Sequence, residues 1–331
     1  MADVRWGIVS AGHIAGTFAR DIAYAENARV GVVAARRGDA AAKFAAAHGI
    51  PKACEGYEAL FADPDIDAVY VATPHTLHLP HTLAALDAGK AVLCEKPVTT
   101  SAEEFKTMRA AGARTGRYLM EGMWTWFLPA IVKAKEWVDA GRIGALRHVK
   151  ADFGYPIAYD PEKRVYNAEL AGGCLFDMGI YPVALARLFT SRAPSTIEVV
   201  SRFAPNGVDD DVVMLFNYED CVATLATSFR CKLRNTAYII GTEGYIAIPD
   251  FWRARECSLF VLHDVIDAFA DDRSGSGFEF QIAAVSKDIL RGRKESPVVT
   301  HAASLAFQED MDRVRAKFRP GRRQPDPART S

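Results

Sequence analysis

Two short clusters hold the side chains best suited to moving a proton. Glu95, Lys96 and Pro97 follow the apolar run Ala91 to Cys94, and Asp177, Met178, Gly179, Ile180 and Tyr181 begin 80 residues after Pro97. They bring together an ammonium, a carboxylate and a phenol, the groups that exchange a proton with an alcohol oxygen while a nicotinamide exchanges a hydride with its carbon. Proline cannot extend a ladder, so Lys96 sits at a strand end with its ammonium expected to point into a crevice. Asp177 and Tyr181, spaced i, i+4 on a helix after Gly172 and Gly173, should share a face. Each feature alone has a plainer reading. A strand-end lysine can simply be solvated, and a tyrosine in D-x-x-x-Y can be buried against its own helix.

Both clusters lie downstream of a strand, turn and helix start that runs from Gly7 through Ser10, Ala11, Gly12, His13 and Ile14 to Gly16. In a G-x-G-x-x-G turn the glycines permit the bend and let the helix N-terminus approach a pyrophosphate. Here Ser10 takes the first glycine's place and Gly12, the close-approach glycine, is kept. An ordinary strand-to-helix turn is the alternative. With the later motifs in view, Ser10, Gly12, His13 and Ile14 are expected to cradle a dinucleotide. At the end of the second strand, where an NAD-preferring protein carries an acid, the chain has Ala35, Arg36 and Arg37. Two guanidinium groups favour a 2′-phosphate, so NADP is expected rather than NAD, unless the arginines are a solvated loop pair.

The segment Val71 to His78 lies at the C-terminal end of an expected parallel strand, where open α/β sheets bind their ligands. Thr73, Pro74, His75, Leu77 and His78 are therefore expected to line the cofactor, His75 or His78 against the nicotinamide ribose. His81 would cap a helix or face solvent. Three histidines in seven positions suggest a metal, but no acid or cysteine stands nearby to complete a ligand set, and none is expected.

These motifs need a frame. The N-terminal third alternates apolar runs (Val4 to Val9, Arg29 to Ala34, Ala68 to Ala72, Ala91 to Cys94, Tyr118 to Met120) with helical stretches (Ile14 to Tyr24, Asp39 to His48, Leu79 to Ala88, Ala102 to Arg114). That is the pattern of a parallel sheet covered on both faces. After Trp124 one helix near Ile131 to Ala140 gives way to β-rich segments. Arg147 to Tyr155, Ile197 to Phe203, Asp211 to Tyr218, Val222 to Phe229 and Thr236 to Ile240 read as mostly antiparallel strands. Expected are an α/β Rossmann domain over residues 1–123, an α+β domain with a large open sheet over 124–318, and a disordered tail over 319–331.

With 331 residues, two cores are the default. Forty basic residues against 41 acidic ones give no pull toward nucleic acid or an anionic membrane, so a small-molecule partner fits better. No run of about 18 apolar residues occurs and the first strand begins by Val4, so the protein is expected in the cytoplasm. Six cysteines without a C-x-x-C pair read as reduced core thiols.

Taken together, these motifs resemble the glucose-fructose oxidoreductase and inositol dehydrogenase (Gfo/Idh/MocA) family. The turn with Gly12, the Thr73, Pro74 and His78 loop, the Glu95, Lys96, Pro97 triplet, Gly172 to Tyr181 and Gly241 to Gly244 fall in family order over nearly the whole length. Tyr181, where many members have histidine, is similar to the branch of dimeric dihydrodiol dehydrogenase, NADP-dependent xylose dehydrogenase and glucose-fructose oxidoreductase. The resemblance implies a catalytic pair of Lys96 and Tyr181, with Asp177 binding or orienting the substrate hydroxyl. It implies Glu95 and Lys96 beside the cofactor, Arg36 on its 2′-phosphate and a cis bond before Pro97. It also implies a sheet that joins subunits into a homodimer or homotetramer. Relatives often carry a serine before that arginine and an arginine where this chain has Trp126, departures that bear on phosphate binding and on the substrate.

Lys96 is expected to lower the Tyr181 phenol so that it serves as a base. Trp124, Trp126, Phe127, Phe153 and Tyr155 either stack on a sugar or arene or pack the junction. Trp124, Phe153, Asn167, Asp177 and Tyr181 are the expected substrate contacts. Asp177, Asn167, His75 and Lys96 would serve a sugar or polyol, whereas a dihydrodiol needs fewer polar partners; an aldose such as D-xylose is slightly preferred. Two further readings stay open: a dinucleotide-binding sensor or regulator without turnover, and an oxidoreductase that cycles a non-dissociating NADP between two substrates.

Overall fold

The structure, a computed structural model, describes residues 3–319. Strands β1 (Val4–Val9), β2 (Ala28–Ala35), β3 (Lys52–Glu55), β4 (Ala68–Val71), β5 (Ala91–Glu95) and β6 (Leu119–Gly122) alternate with helices α1 (His13–Asp21), α2 (Gly38–His48), α3 (Glu58–Phe61), α4 (His78–Asp87) and α5 (Ala102–Thr115). All pairs in this sheet are parallel, in the order β3-β2-β1-β4-β5-β6. Because side chains alternate along a strand, each strand feeds two cores. Trp6, Ile8, Tyr70 and Leu93 go to one face, and Val9, Val71, Val92 and Cys94 to the other. The order reverses between β1 and β4, and the chain crosses in opposite directions there, leaving a crevice at the strands' carboxyl ends. Ser101 starts α5 by accepting the Glu104 N–H at 3.2 Å.

Beyond β6 come α6 (Pro129–Asp139), β7 (Leu146–Gly154), α7 (Ile180–Thr190) and a run of strands: β8 (Thr196–Phe203), β9 (Asp209–Asn217), β10 (Val222–Ser228), β11 (Ala237–Gly241), β12 (Tyr245–Ile248), β13 (Glu256–Val261) and β14 (Asp264–Ala270). They form an eight-stranded sheet, β14-β13-β12-β11-β7-β10-β9-β8, antiparallel except where β10 lies parallel to β7. The protein is thus a Rossmann sheet followed by a large, mostly antiparallel open sheet. One face of the second sheet packs on α6 and α7, while Val200, Val213 and Leu215 on the other stay exposed.

The last helices, α8 (Phe278–Leu290) and α9 (His301–Arg315), return to the first sheet. Trp6 Nε1 donates to Ser286 Oγ at 3.0 Å, and Asp21 accepts the N–H groups of Ser276 and Phe278 at 2.9 and 3.1 Å. α9 lies against α5, and its Asp310 pairs with Arg187 of α7, Nη2 to Oδ1 2.8 Å. The Arg187–Asp310 pair and the packing of α9 on α5 tie the second half of the chain to the first. The tail expected to be disordered lies, apart from Arg319, outside the described residues.

Candidate active site

The β1–α1 turn keeps a glycine's conformation without the glycine. Ser10 has φ 96°, a left-handed value that glycine adopts most easily, and its N–H donates to Ala34 O at 2.8 Å. Gly12 precedes α1 and is exposed; a Cβ there would meet nothing nearer than Ser10 Oγ at 3.8 Å. His13 and Ile14 open a helix with no acid in its first turn, so free N–H groups face the crevice edge without a competing charge. This turn fits a dinucleotide pyrophosphate. At the end of β2 the two arginines differ. Arg37 is held by Asp39 (Nε to Oδ1 2.9 Å), whereas Arg36 is exposed and has no hydrogen-bond or ion-pair partner among the described residues. Of the two, only Arg36 is a free cation.

Thr73, Pro74 and His75 form the next wall. His75 is buried, and its Nδ1 donates to Ala171 O at 3.1 Å, which leaves Nε2 open. Burial, helped by neighbouring His78, holds its imidazole well below the usual range, hence neutral. His78 corrects the expectation of a ribose contact. It is fully buried, with Nδ1 2.8 Å from Pro97 O and Nε2 2.9 Å from Thr73 O, and burial pushes it down to about 4. A neutral ring donates to one of those carbonyls at a time, and in either tautomer His78 braces two loops from behind the wall. Leu77, half-buried, precedes it. His81 neither caps a helix nor faces solvent freely: it stacks edge-on with Tyr57 (4.6 Å) and meets Thr73 Oγ1 at 3.3 Å.

Glu95 lies beneath the site rather than in it. It is buried, with one oxygen accepting from the Tyr70 hydroxyl and the other from Lys96 N at 3.1 Å. The Lys96–Pro97 peptide bond is cis. Lys96 Nζ reaches the second half of the chain, donating to the main-chain oxygen of Asp177 at 2.7 Å and lying 4.9 Å from the centre of the Tyr181 ring. Burial pulls its ammonium below the usual range against the attraction of Asp177 and Glu95.

Asp177 does not begin a regular α-helix. Leu175–Gly179 is a π-helical turn that runs into α7, and Pro182 five residues on has no N–H to give in that wider register. The turn keeps Asp177 and Tyr181 on the crevice side and leaves the Asp177 carbonyl turned to Lys96. The Asp177 carboxylate accepts from Arg164 Nη2 at 2.7 Å. Burial opposes its ionisation, but Lys96 and Arg164 outweigh that and hold it below the usual carboxylate range. Arg164 was not picked out in the sequence. It lies in the irregular segment between β7 and the π turn, where no periodicity marks it.

The Tyr181 phenol is buried and accepts from Trp124 Nε1 at 2.9 Å. Burial and then the charge of Glu95 push it well above its ordinary range. This corrects the expectation that Lys96 makes it a ready base, because the ammonium is directed to the Asp177 carbonyl and the charge of Glu95 opposes ionisation of the phenol. A neutral phenol is the form that donates a proton.

Around the phenol stands an aromatic wall. Phe153 meets Tyr181 edge-on at 5.4 Å and stacks on Trp252 at 4.8 Å, and Trp124 packs on Phe278 at 4.7 Å and Trp252 at 6.0 Å. Trp252 is another residue the sequence did not mark, since it lies in a short turn after β12. Trp126 is not part of this wall; it packs edge-on against Phe307 of α9 at 5.2 Å. The arginine-to-tryptophan departure therefore falls in packing. Asn167 is half-buried, and its side-chain oxygen caps a short turn by accepting the Glu169 N–H at 2.9 Å, which uses one of that oxygen's two lone pairs.

Among the described residues no group of three or more His, Cys, Asp or Glu side chains is placed to hold a metal. One helical stretch, Ala168–Thr190, is long and apolar enough to cross a membrane by composition, and 67 % of its most apolar window is buried inside the protein.

The model of an oxidoreductase family with an NAD-binding Rossmann fold matches residues 4–123, and that of the GFO/IDH/MocA C-terminal domain matches 131–247. The chain is 37 % identical over 324 residues to trans-1,2-dihydrobenzene-1,2-diol dehydrogenase of Mus musculus, a match covering 94 % of this chain and 96 % of that one. Among solved structures it superposes on aldose-aldose oxidoreductase from Caulobacter crescentus, complexed with glycerol, with TM-score 0.87, 25 % identity and 95 % and 97 % of the two chains covered. It superposes on KijD10, a 3-ketoreductase from Actinomadura kijaniata in complex with NADP and TDP-benzene, with TM-score 0.85, 26 % identity and 96 % and 98 % covered. Matched along both halves, with the family's turn, triplet and tyrosine gathered around one crevice, the chain belongs to the Gfo/Idh/MocA family of oxidoreductases.

Proposed function

We propose that this protein is an NADP-dependent dehydrogenase/reductase acting on a carbinol carbon of a trans-dihydrodiol or a related cyclic vicinal diol, with Tyr181 as the proton-transfer group. The observation that carries the reading is the convergence of Lys96 Nζ, the Tyr181 hydroxyl and the Phe153–Trp252 stack at one crevice end. The turn from Ser10 to Ile14 would hold the pyrophosphate, Arg36 the 2′-phosphate, and Thr73, Pro74 and His75 the nicotinamide half. When bound, the nicotinamide supplies or accepts the hydride.

The chain's own residues do the rest. In carbonyl reduction the neutral Tyr181 phenol gives its proton to the oxygen of the forming alcohol, and Lys96 stabilises the negative charge that builds there. Trp124, donating to the same phenolic oxygen, stabilises the phenolate left behind. In alcohol oxidation the steps reverse, and Tyr181 acts as a base once it has ionised. Asp177, kept anionic by Arg164 and Lys96, is an acceptor for a substrate hydroxyl and not a proton donor.

The preference for a dihydrodiol over an aldose follows from the polar inventory. His75 Nδ1 and one Lys96 N–H already have partners, so hydroxyls would be met chiefly by His75 Nε2, the Asp177 carboxylate and the rest of the Lys96 ammonium, a small set for a hydroxyl-rich sugar, while the wall is aromatic. The likeness to an aldose-aldose oxidoreductase keeps aldoses as the second reading. We further propose a cytoplasmic homodimer or homotetramer that covers Val200, Val213 and Leu215 of the open sheet. The deciding experiment is NADP⁺ reduction by purified protein with aromatic trans-dihydrodiols, aldoses and polyols, with NAD⁺ in parallel and bound nucleotide assayed beforehand. Turnover of dihydrodiols with NADP⁺ supports the reading; nucleotide binding without turnover of any class refutes it.

A further inference from the structure

The turn that carries Lys96 offers two N–H groups, on either side of Pro97, which has none. A buried carboxylate takes each of them. Lys96 N–H donates to Glu95 Oε2 at 3.1 Å, and Val98 N–H donates to Glu121 Oε1 at 3.0 Å. Glu121, on β6, is 1 % exposed, and its Oε2 has no hydrogen-bond partner among the described residues. A buried carboxylate oxygen without a donor is costly as an anion and much less so as an acid.

The local charges point the same way. Three carboxyl groups (Glu95, Glu121, Asp177) surround two cations (Lys96, Arg164), with His75 and His78 neutral. Asp177 is tied to Arg164, and Glu95 accepts from two donors. Glu121 accepts one N–H, from Val98, with the Ser304 hydroxyl of α9 close enough to favour its anion, and it faces Glu95, Lys96 and the Cys94 thiol. Of the three it is the least compensated. Burial, with Glu95 adding to it, pushes Glu121 up to about 7 against the pull of Ser304, Val98 and Lys96.

We propose that Glu121 is a positioning residue for Lys96, carrying the surplus proton of this cluster and holding the lysine turn as a neutral acid. Ionised, it sets a third buried anion beside the ammonium, after Asp177 and Glu95, and draws Lys96 away from the Asp177 carbonyl and the Tyr181 ring. The inference rests on Lys96 being the catalytic lysine, but its protonation half is measurable without turnover.

The test compares wild type with Glu121→Gln, which keeps the shape and removes the titration. A carboxyl raised on folding contributes stability that is full below its unfolded value of about 4.3 and is lost as pH rises through its folded value. From pH 5 to 7 the wild-type unfolding constant should therefore climb relative to the variant's, by up to about tenfold per pH unit. The wild-type kcat should fall as pH rises through about 7, and the variant should lack that fall. A stability difference independent of pH overturns the surplus proton, and an unchanged kcat profile overturns the positioning role. Should Glu121→Gln not fold, Ser304→Ala removes a donor to the anion and should move the wild-type inflection to higher pH; an unmoved inflection counts against the proposal. Full turnover in Lys96→Met would refute the reading of Lys96 itself, whatever the stability data show.

Discussion

Replacing Trp124 by Phe isolates one interaction. The indole N–H donates to Tyr181 Oη at 2.9 Å, with both side chains buried and Trp124 braced by Phe278 and Trp252. A hydrogen bond between neutral groups is worth about 0.5–1.5 kcal/mol and one to a charged group about 1.5–3 kcal/mol. The difference, about 1–1.5 kcal/mol, is what the N–H contributes to phenolate over phenol, or about one pKa unit. Trp124→Phe should accordingly move the alkaline-rising limb of kcat/KM for alcohol oxidation up by about one pH unit. At a fixed pH below that limb kcat/KM should fall about three- to tenfold, because the more basic phenolate partly offsets its scarcity. The overall equilibrium is unaltered, so carbonyl reduction must fall by a similar factor at the same pH. The assay is nicotinamide absorbance over a pH series in both directions, with thermal unfolding to confirm the fold. An unmoved limb with a lower rate would mean that Trp124 matters only for shape, and the reasoning about the phenol would fail.

Other expectations follow from the same geometry. Tyr181→Phe should lower kcat by about 10²–10⁴ while leaving NADP affinity, read by fluorescence titration, unchanged. Arg36→Ala should weaken NADP about 10- to 100-fold through one lost charge-assisted contact, with NAD nearly unaffected. Arg37→Ala should do less, since Asp39 already holds that guanidinium. With the phenol held neutral, Tyr181 itself sets no neutral limb, so in Glu121→Gln, which lacks the fall near pH 7, reduction should stay level up to about pH 10 while oxidation climbs with pH; a bell centred near neutrality in that variant would contradict this. Val213→Lys, on the open sheet face, should give a smaller species by light scattering than the wild type.

Much of the frame was legible in the chain. Parallel strands buried on both faces become unbroken apolar runs, which is why Val4–Val9, Ala68–Val71 and Ala91–Glu95 stand out in sequence. Strand β3 (KACE) and the β13–β14 edge, where polar residues interrupt the runs, did not. Gly12, Lys96, Asp177 and Tyr181 were found because their chemistry recurs at set distances from strand ends and turns. Arg164 and Trp252 lie in irregular segments and reach the crevice only because β7, α7 and the second sheet fold back to it.

Sequence alone determined which groups are available: a phenol, an ammonium, a carboxylate and a glycine turn, in that family order. Tertiary structure decided what state they are in. Burial beside Glu95 keeps Tyr181 a neutral acid although Lys96 lies over its ring, the Arg164 pair keeps Asp177 an anion, and two carbonyls lock His78 behind the wall. A side chain's identity is written in the chain, but its charge follows from the solvent it has lost and the charges it has met, and both are set by residues far away in sequence.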